Sequence, residues 1–248
     1  MTLIYCISDI HGEYDKFTEL LDKIDLRDTD TLYILGDILD RGPHPIRTLQ
    51  KVMEMPNVVC LLGNHELMAH ECLEFFYDEV TEDRLESLDD EMVENLMIWL
   101  YNGSKTTIDE FTELDLETKM RIAEFLKKLP AYKQVSVGGK EYILVHAGLG
   151  EYPGKKNMEA YPLSELVWTR ANYNIAYFED KFVVSGHTPT QSIKESDNPG
   201  YIFRKNNHIA IDCGACYPKG RLAAICLDTD EEFYSSENTQ NETNNDQN

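Results

Sequence analysis

This sequence predicts an α/β (α+β) chain of two packed mixed β-sheets flanked by helices, in a single domain. Three observations carry that expectation. Strands and helices alternate over the first third of the chain, the last third is strand-rich, and an acidic helical block separates them. At 248 residues the chain is long enough to bury one substantial core.

Leu3 to Ile7 reads as a buried strand, and Glu13 to Ile24 carries Phe17, Leu20, Leu21 and Ile24 at helical spacing. Thr31 to Leu35 is a second strand. Pro43 to Met55 reads as a helix opened by Pro43 or Pro45 and stopped by Pro56. Val58 to Leu62 is a third strand and His65 to Tyr77 a third helix. Asp78 to Glu94 is dense in Asp and Glu, Leu96 to Tyr101 is apolar, and Leu116 to Leu129 is helical up to Pro130. We read 78–130 as a helical acidic insertion whose charge is a solvated face. Tyr132 to Val137, Gly138-Gly139 and Glu141 to Val145 form a hairpin signature. Phe182 to Ser185, Tyr201 to Phe203, His208 to Ile211 and Leu222 to Leu227 are further strands. Residues 1–230 read as one domain and 231–248 as a disordered polar tail, rich in Asn, Glu, Ser and Thr.

There are 45 acidic against 23 basic residues, for a net charge of −22. Such a surface repels phosphate backbones, which argues against a nucleic-acid partner. No stretch is long and apolar enough to span a membrane, and Met1 to Cys6 enters a strand without a basic leader. Those features and six cysteines, mostly in apolar contexts, point to the cytoplasm. Cys213-Gly214-Ala215-Cys216 is a lone C-x-x-C and reads as packing or incidental spacing.

The chemistry gathers just after apolar runs. Asp9 and His11 are two residues apart, so both can face one way from a strand end. Asp37 ends the second strand, and its two oxygens can bridge two cations. Asn64 ends the third strand and offers a neutral carbonyl oxygen. His146 and His187 add imidazole nitrogens. Mixed oxygen and nitrogen donors suit manganese, iron or zinc rather than copper. Two such cations would hold a hydroxide and clamp phosphoryl oxygens for in-line displacement. His65, beside Asn64, is placed as general acid, with Asp40 holding its imidazole protonated. The planar fork of Arg41 suits phosphoryl oxygens.

Singly, these residues have simpler readings. Asp9 and His11 could cap the first helix, and Asp37 and Asp40 could be turn residues. Glu66 reads as structural, starting a helix or bonding nearby backbone. His44, His70 and His208 read as surface or packing residues, and Trp168 as a core anchor. Asp212 reads as at most a support for His187.

In order, the motifs are Asp9-x-His11-Gly12, Gly36-Asp37-x-x-Asp40-Arg41-Gly42, Gly63-Asn64-His65-Glu66, His146-Ala147-Gly148 and Gly186-His187-Thr188-Pro189. Together they resemble the motif series of the calcineurin-like metallophosphoesterases. The second and third motifs resemble the phosphoprotein phosphatase family of Ser/Thr phosphatases, above all its small prokaryotic and bacteriophage members. The similarity covers residues 3 to 228. It departs at Ser8, where many members have Gly, and at His-Ala-Gly, where eukaryotic members have His-Gly-Gly. The extended C-terminal half of the eukaryotic enzymes is missing as well.

The resemblance implies an αββα sandwich and two divalent metal ions, manganese first, with iron or zinc as alternatives. Asp9, His11 and Asp37 would hold the first ion; Asp37, Asn64, His146 and His187 would hold the second. Asp40 and His65 would form the acid dyad, and Arg41 and Arg170 would bind phosphate. It implies a phosphomonoester hydrolase acting on a phosphoprotein or phosphopeptide by direct attack of metal-bound hydroxide, with no phosphoenzyme. Symmetrical diadenosine tetraphosphate hydrolases share the motif series and are the alternative, although an acidic insertion with few arginines weighs against them. An inactive binding module would show a lost ligand, and none is lost. The oligomeric state stays open, with a monomer compatible.

Overall fold

The computed structural model describes residues 2–150 and 157–238. Among the described residues, ten strands form two five-stranded mixed sheets. In the first, β1 (Ile4–Ile7), β2 (Thr31–Ile34) and β3 (Val58–Cys60) run parallel. Beyond β1 lie antiparallel β9 (Ala223–Cys226) and β10 (Glu232–Tyr234), giving the order β10-β9-β1-β2-β3. The second sheet runs β4-β5-β6-β8-β7, built from Tyr132–Val137, Lys140–Val145, Lys181–Ser185, His208–Ala210 and Phe203–Lys205. In it β5, β6 and β8 are parallel.

Strand alternation decides which side chains meet. Tyr5, Ile7, Leu32 and Ile34 face a helical layer, while Cys6, Tyr33 and Leu35 face the other sheet. From the second sheet, Tyr142, Leu144 and Val184 meet Cys6, Leu35 and Leu61, and this is the core between the sheets. Ile143, Val145 and Val183 point outward to Leu166 on α8 (Leu163–Trp168). Helices thus cover the outer face of each sheet.

On the outer face of the first sheet lie α1 (Tyr14–Ile24), α2 (Pro45–Glu54) and α3 (Asn64–Cys72). The block after α3 folds as α4 (Glu82–Glu86), α5 (Asp90–Tyr101), α6 (Lys105–Thr112) and α7 (Leu116–Lys127). Its polar residues start its helices: Thr81, Asp89 and Asp115 accept the N–H of Arg84, Met92 and Thr118. Glu110 on α6 caps α2 by accepting from Ile46 and Arg47 N–H, and it also meets His44 at 3.1 Å.

Several boundaries differ from expectation. The second helix begins at Pro45, because the ring of Pro45 disfavours helical backbone at His44. The third helix ends at Cys72 and continues as a 3₁₀ segment, Leu73–Phe76. The strand expected at Tyr201 to Phe203 instead occupies Phe203–Lys205. The expected disordered tail, 231–248, is corrected at its start. Glu232–Tyr234 pairs with the open edge of β9, and Phe233 packs edge-on against Tyr5 at 6.2 Å. Residues 239–248 lie outside the described residues.

His208, expected as a surface or packing residue, is buried beside Tyr177, with rings 4.7 Å apart, and its Nε2–H donates to Ile175 O at 3.1 Å. Burial lowers its pKa to about 4. Between about pH 6.5 and 4 the unfolded chain takes up a proton that the fold refuses, so stability falls as pH drops through that window. Urea midpoints measured across that range should show a shallower acid slope for His208→Leu than for the parent chain.

Candidate active site

Five loops of the site leave the carboxyl ends of parallel strands: β1 to Asp9 and His11, β2 to Asp37, β3 to Asn64, β5 to His146 and β6 to His187. Parallel strands point these ends one way, so residues far apart in sequence converge on one rim. Among the described residues, eleven non-glycines have positive φ, and six of them are Asp9, His11, Asp37, Asp40, Arg41 and His187. Left-handed backbone costs energy outside glycine, so this concentration marks turns held by their surroundings.

Glu66 supplies much of that hold. From the first turn of α3 its carboxylate accepts the N–H of Asp37 at 2.6 Å, Ile38 at 2.8 Å, Leu39 at 3.2 Å and Gly63 at 3.2 Å. Burial and the nearby Asp37 raise its pKa to about 7. Gly63 has no room for a side chain, since a Cβ there would strike the Asp37 carboxylate. A Cβ on Gly186 would strike Ser8 and Asp9.

The imidazoles are oriented from behind. His11 Nδ1–H donates to Leu39 O at 2.9 Å and His146 Nδ1–H to Leu35 O at 2.8 Å. Their Nε2 atoms are thereby turned inward. His11 Nε2 lies 3.6 Å from Asp37 Oδ2, and His146 Nε2 lies 3.3 Å from Asp37 Oδ1 and 3.0 Å from Asn64 Oδ1. His187 Nδ1 stands 2.9 Å from that same Asn64 oxygen. Asp9 accepts from Ser8 Oγ–H at 2.5 Å and from His187 N–H at 3.0 Å.

Two groups of potential ligand atoms result, His11-Asp37-His65 and Asp37-His146-His187, and they share Asp37. Their chemistry fits a pair of divalent cations, with hard carboxylate and amide oxygens and backbone-oriented imidazoles converging from two sides. The charge balance agrees. Burial lowers His146, but Asp37, Asp9 and Glu66 outweigh it and raise the ring to about 10. Burial and the neighbouring Asp37 raise Asp9. Burial, with His146 next, drops His187 to about 3. The site thus concentrates buried anionic groups that require positive charge.

Within the first of these groups, His65 Nδ1–H donates to Asp40 Oδ2 at 2.6 Å, and both side chains are buried. Burial would lower His65, yet Asp37 and Asp40 overcome it and raise its pKa. Sequence reading missed what fixes Asp40: Trp99 Nε1–H donates to it at 2.8 Å and Thr107 Oγ1–H at 2.5 Å. Both come from the helical block, from α5 and α6. Trp99 sits in an apolar run, where periodicity marks a core residue and gives no sign of its indole partner.

Arg41 donates from Nη1 to His11 Nε2 at 2.7 Å and from Nη2 to His65 Nε2 at 2.9 Å. Its own N–H donates to Gly103 O at 3.0 Å, a second tie to the helical block. Arg170 is exposed and lines a cleft of about 630 Å³ with Arg41, Asp37, Asn64 and His187. Trp168 corrects an expectation. It is 38% exposed rather than core, and it faces the His187 ring edge-on at 6.3 Å, on the wall of that cleft. A six-residue helix ends at this position and leaves the ring at the rim. Asp212 lies just past β8: its carboxylate accepts from Gly214 N–H at 2.8 Å, and burial with the nearby Asp9 raises its pKa well above the carboxylate range. All six cysteines are free thiols, Cys213 and Cys216 included.

Glu66→Ala should strand four buried main-chain donors and cost about 3 kcal/mol or more in urea denaturation. Glu66→Gln keeps the shape with one carbonyl acceptor and should recover part of that loss.

The sequence matches the calcineurin-like phosphoesterase family over residues 2–197. Among curated relatives, a symmetrical bis(5'-nucleosyl)-tetraphosphatase of Acidovorax ebreus is 30% identical over 148 residues, 59% of this chain and 44% of that protein. Serine/threonine-protein phosphatase 2 of Salmonella typhimurium is 29% identical over 151 residues, 60% of this chain and 59% of its own length. The matches therefore span less than two thirds of either relative. A solved candidate diadenosine tetraphosphatase shares the fold, with a TM-score of 0.62 at 17% identity, covering 94% of this chain and 92% of that one. The family match takes in every strand-end residue from Asp9 to His187, and the chain belongs to the calcineurin-like phosphoesterase family.

Proposed function

We propose that this chain is a metal-dependent phosphomonoester hydrolase acting on phosphoserine and phosphothreonine in proteins. The observation that carries the reading is the charge of the cleft. Among the described residues that line it, the cations are Arg41 and Arg170, a pair matched to one phosphoryl group rather than a chain of four phosphates. Asp9, His11 and Asp37 would hold one divalent ion, and Asp37, Asn64, His146 and His187 the other. Bound there, the ions would acidify an attacking water and draw charge off the phosphoryl oxygens.

The chain's own residues do the rest. Arg41 and Arg170 bind and orient the phosphoryl oxygens, with Arg41 exchanging the His11 and His65 nitrogens for them. His65 delivers a proton from Nε2 to the leaving oxygen, and Asp40 stabilises the charged ring. Trp99 donates to Oδ2, the oxygen that also accepts from His65, and Thr107 to Oδ1, which keeps the Asp40 carboxylate aimed at His65.

A second reading has its own support. Trp168 and Tyr217 are exposed aromatic side chains on the cleft wall, surfaces on which a nucleobase could stack. Together with the tetraphosphatase named among the relatives, they favour symmetrical hydrolysis of a dinucleoside polyphosphate.

Manganese-loaded protein assayed side by side on a phosphothreonine peptide and diadenosine tetraphosphate separates the two. Higher kcat/KM on the peptide, abolished by EDTA, is expected; higher kcat/KM on the nucleotide would replace the first reading with the second. Asp37→Ala should remove manganese binding in calorimetry together with activity. His65→Ala should keep bound manganese but slow turnover by about 10²–10⁴, most for poor leaving groups. Loss of the metal in that variant would reassign His65 as a ligand.

A further inference from the structure

Ser235 and Asn238 are buried, although they lie in a segment of polar composition. Buried polar groups need partners, and theirs show what the segment does. Past β10 the chain runs beside the start of β9. Ser235 N–H donates to Leu222 O at 2.9 Å, and Ser235 Oγ accepts Leu222 N–H at 2.9 Å. Three residues on, Asn238 N–H donates to Gly220 O at 2.7 Å and Asn238 O accepts Lys219 N–H at 3.0 Å. Between these pairs, Ser236 N–H and Oγ–H both donate to Glu19 on α1, at 2.9 and 2.7 Å, and Glu237 pairs with Arg221. Residues 235–238 are thus a strap, tied to α1 on one side and to residues 219–222 on the other.

What the strap grips is a compact loop, residues 213–221. Arg221 N–H closes its neck onto Cys213 O at 3.0 Å, and a Cβ on Gly220 would strike Gly214 O. Lys219 stands in left-handed backbone, at φ 60°, which a non-glycine residue adopts only when its surroundings hold it there. Asn238 bonds that residue and the next. At the tip of the loop, Tyr217 and Pro218 line the cleft, and the Tyr217 ring lies 5.8 Å from Arg41 Cζ. A guanidinium at that range from an aromatic face is attracted to it. Lys16 Nζ on Ala215 O and Gln191 Nε2 on Cys213 O, each at 2.9 Å, hold the loop before its tip. The main-chain bonds of Asn238 hold it after the tip.

We propose that residues 235–238 position the phosphate end of the cleft: Asn238 fixes the loop, the loop fixes Tyr217, and Tyr217 steadies the guanidinium of Arg41. The inference rests on the role given to Arg41 above. Asn238 acts through the loop and is a positioning residue. The anchor on α1 matters equally, because Glu19 keeps the strap from following the loop when the cleft is loaded.

Calorimetric titration of inorganic phosphate into the manganese-loaded protein tests this, whichever ester is the better substrate. A chain stopped after Asn238 keeps the strap and should bind phosphate like the parent. A chain stopped after Tyr234 loses it and should bind about fivefold more weakly, with manganese affinity unchanged. In the full chain, Asn238→Pro deletes the N–H that donates to Gly220 O and should weaken binding to the same extent. Tyr217→Ala should match it, and Asn238→Pro added to Tyr217→Ala should cost nothing more, because both act on one contact. If the shortened chain fails to fold, Glu19→Ala, which releases the strap from α1, replaces it with the same expected loss. Phosphate affinity indifferent to these changes would overturn the inference. So would losses that add in the double variant, a parallel loss of manganese affinity, or weakening in the chain stopped after Asn238. A parent chain that binds no phosphate would overturn the reading of Arg41 and the role of the strap with it.

Discussion

One buried carboxylate ties the site together. Glu66 accepts four main-chain N–H groups, three from the Asp37 turn after β2 and one from the Gly63 turn after β3. Those groups point away from any sheet ladder and would be orphaned without it. The same four bonds hold Asp37 in left-handed backbone, which aims its carboxylate between the two ligand groups. Strain at the turn is thus offset by hydrogen bonding just behind it.

Other support is layered around this clasp. Main-chain carbonyls of Leu39 and Leu35 orient His11 and His146. Glycines at 63 and 186 let the Asp37 and Asp9 carboxylates approach their neighbours. The helical block, which reads in sequence as an acidic insertion, reaches the Asp40-Arg41 turn through Trp99, Thr107 and Gly103. Its acidic residues stay in solvent while its buried face bonds the Asp40-Arg41 turn, so charge and these contacts lie on opposite sides of the same helices.

Much of the architecture was legible because its signals are local. Period-two alternation in β1, β2 and β5 separates the two faces of each strand, and both faces are buried on different layers. Proline positions mark helix ends within a residue or two. Asp9, Asp37, Asn64, His146 and His187 were legible for a related reason: each comes just after an apolar run, which is where parallel strands expose their ends. Trp168 was misread because an aromatic beside Leu166 and Val167 looks like core until the short helix is seen to stop there. The β10 strand was missed because polar composition hides a backbone that needs only an open sheet edge.

By itself, then, the sequence determined the elements, the layers and the residue types at the strand ends, since periodicity, turn chemistry and donor type are properties of short segments. Tertiary structure alone decided which side chains meet. Glu66 bonds a turn 27 to 29 residues away, and Trp99 reaches Asp40 across 59. His146 and His187 share the Asn64 oxygen across separations of 82 and 123. Such contacts depend on how strands order within a sheet and how helices cover it, and that order is set by global packing, which no local pattern encodes.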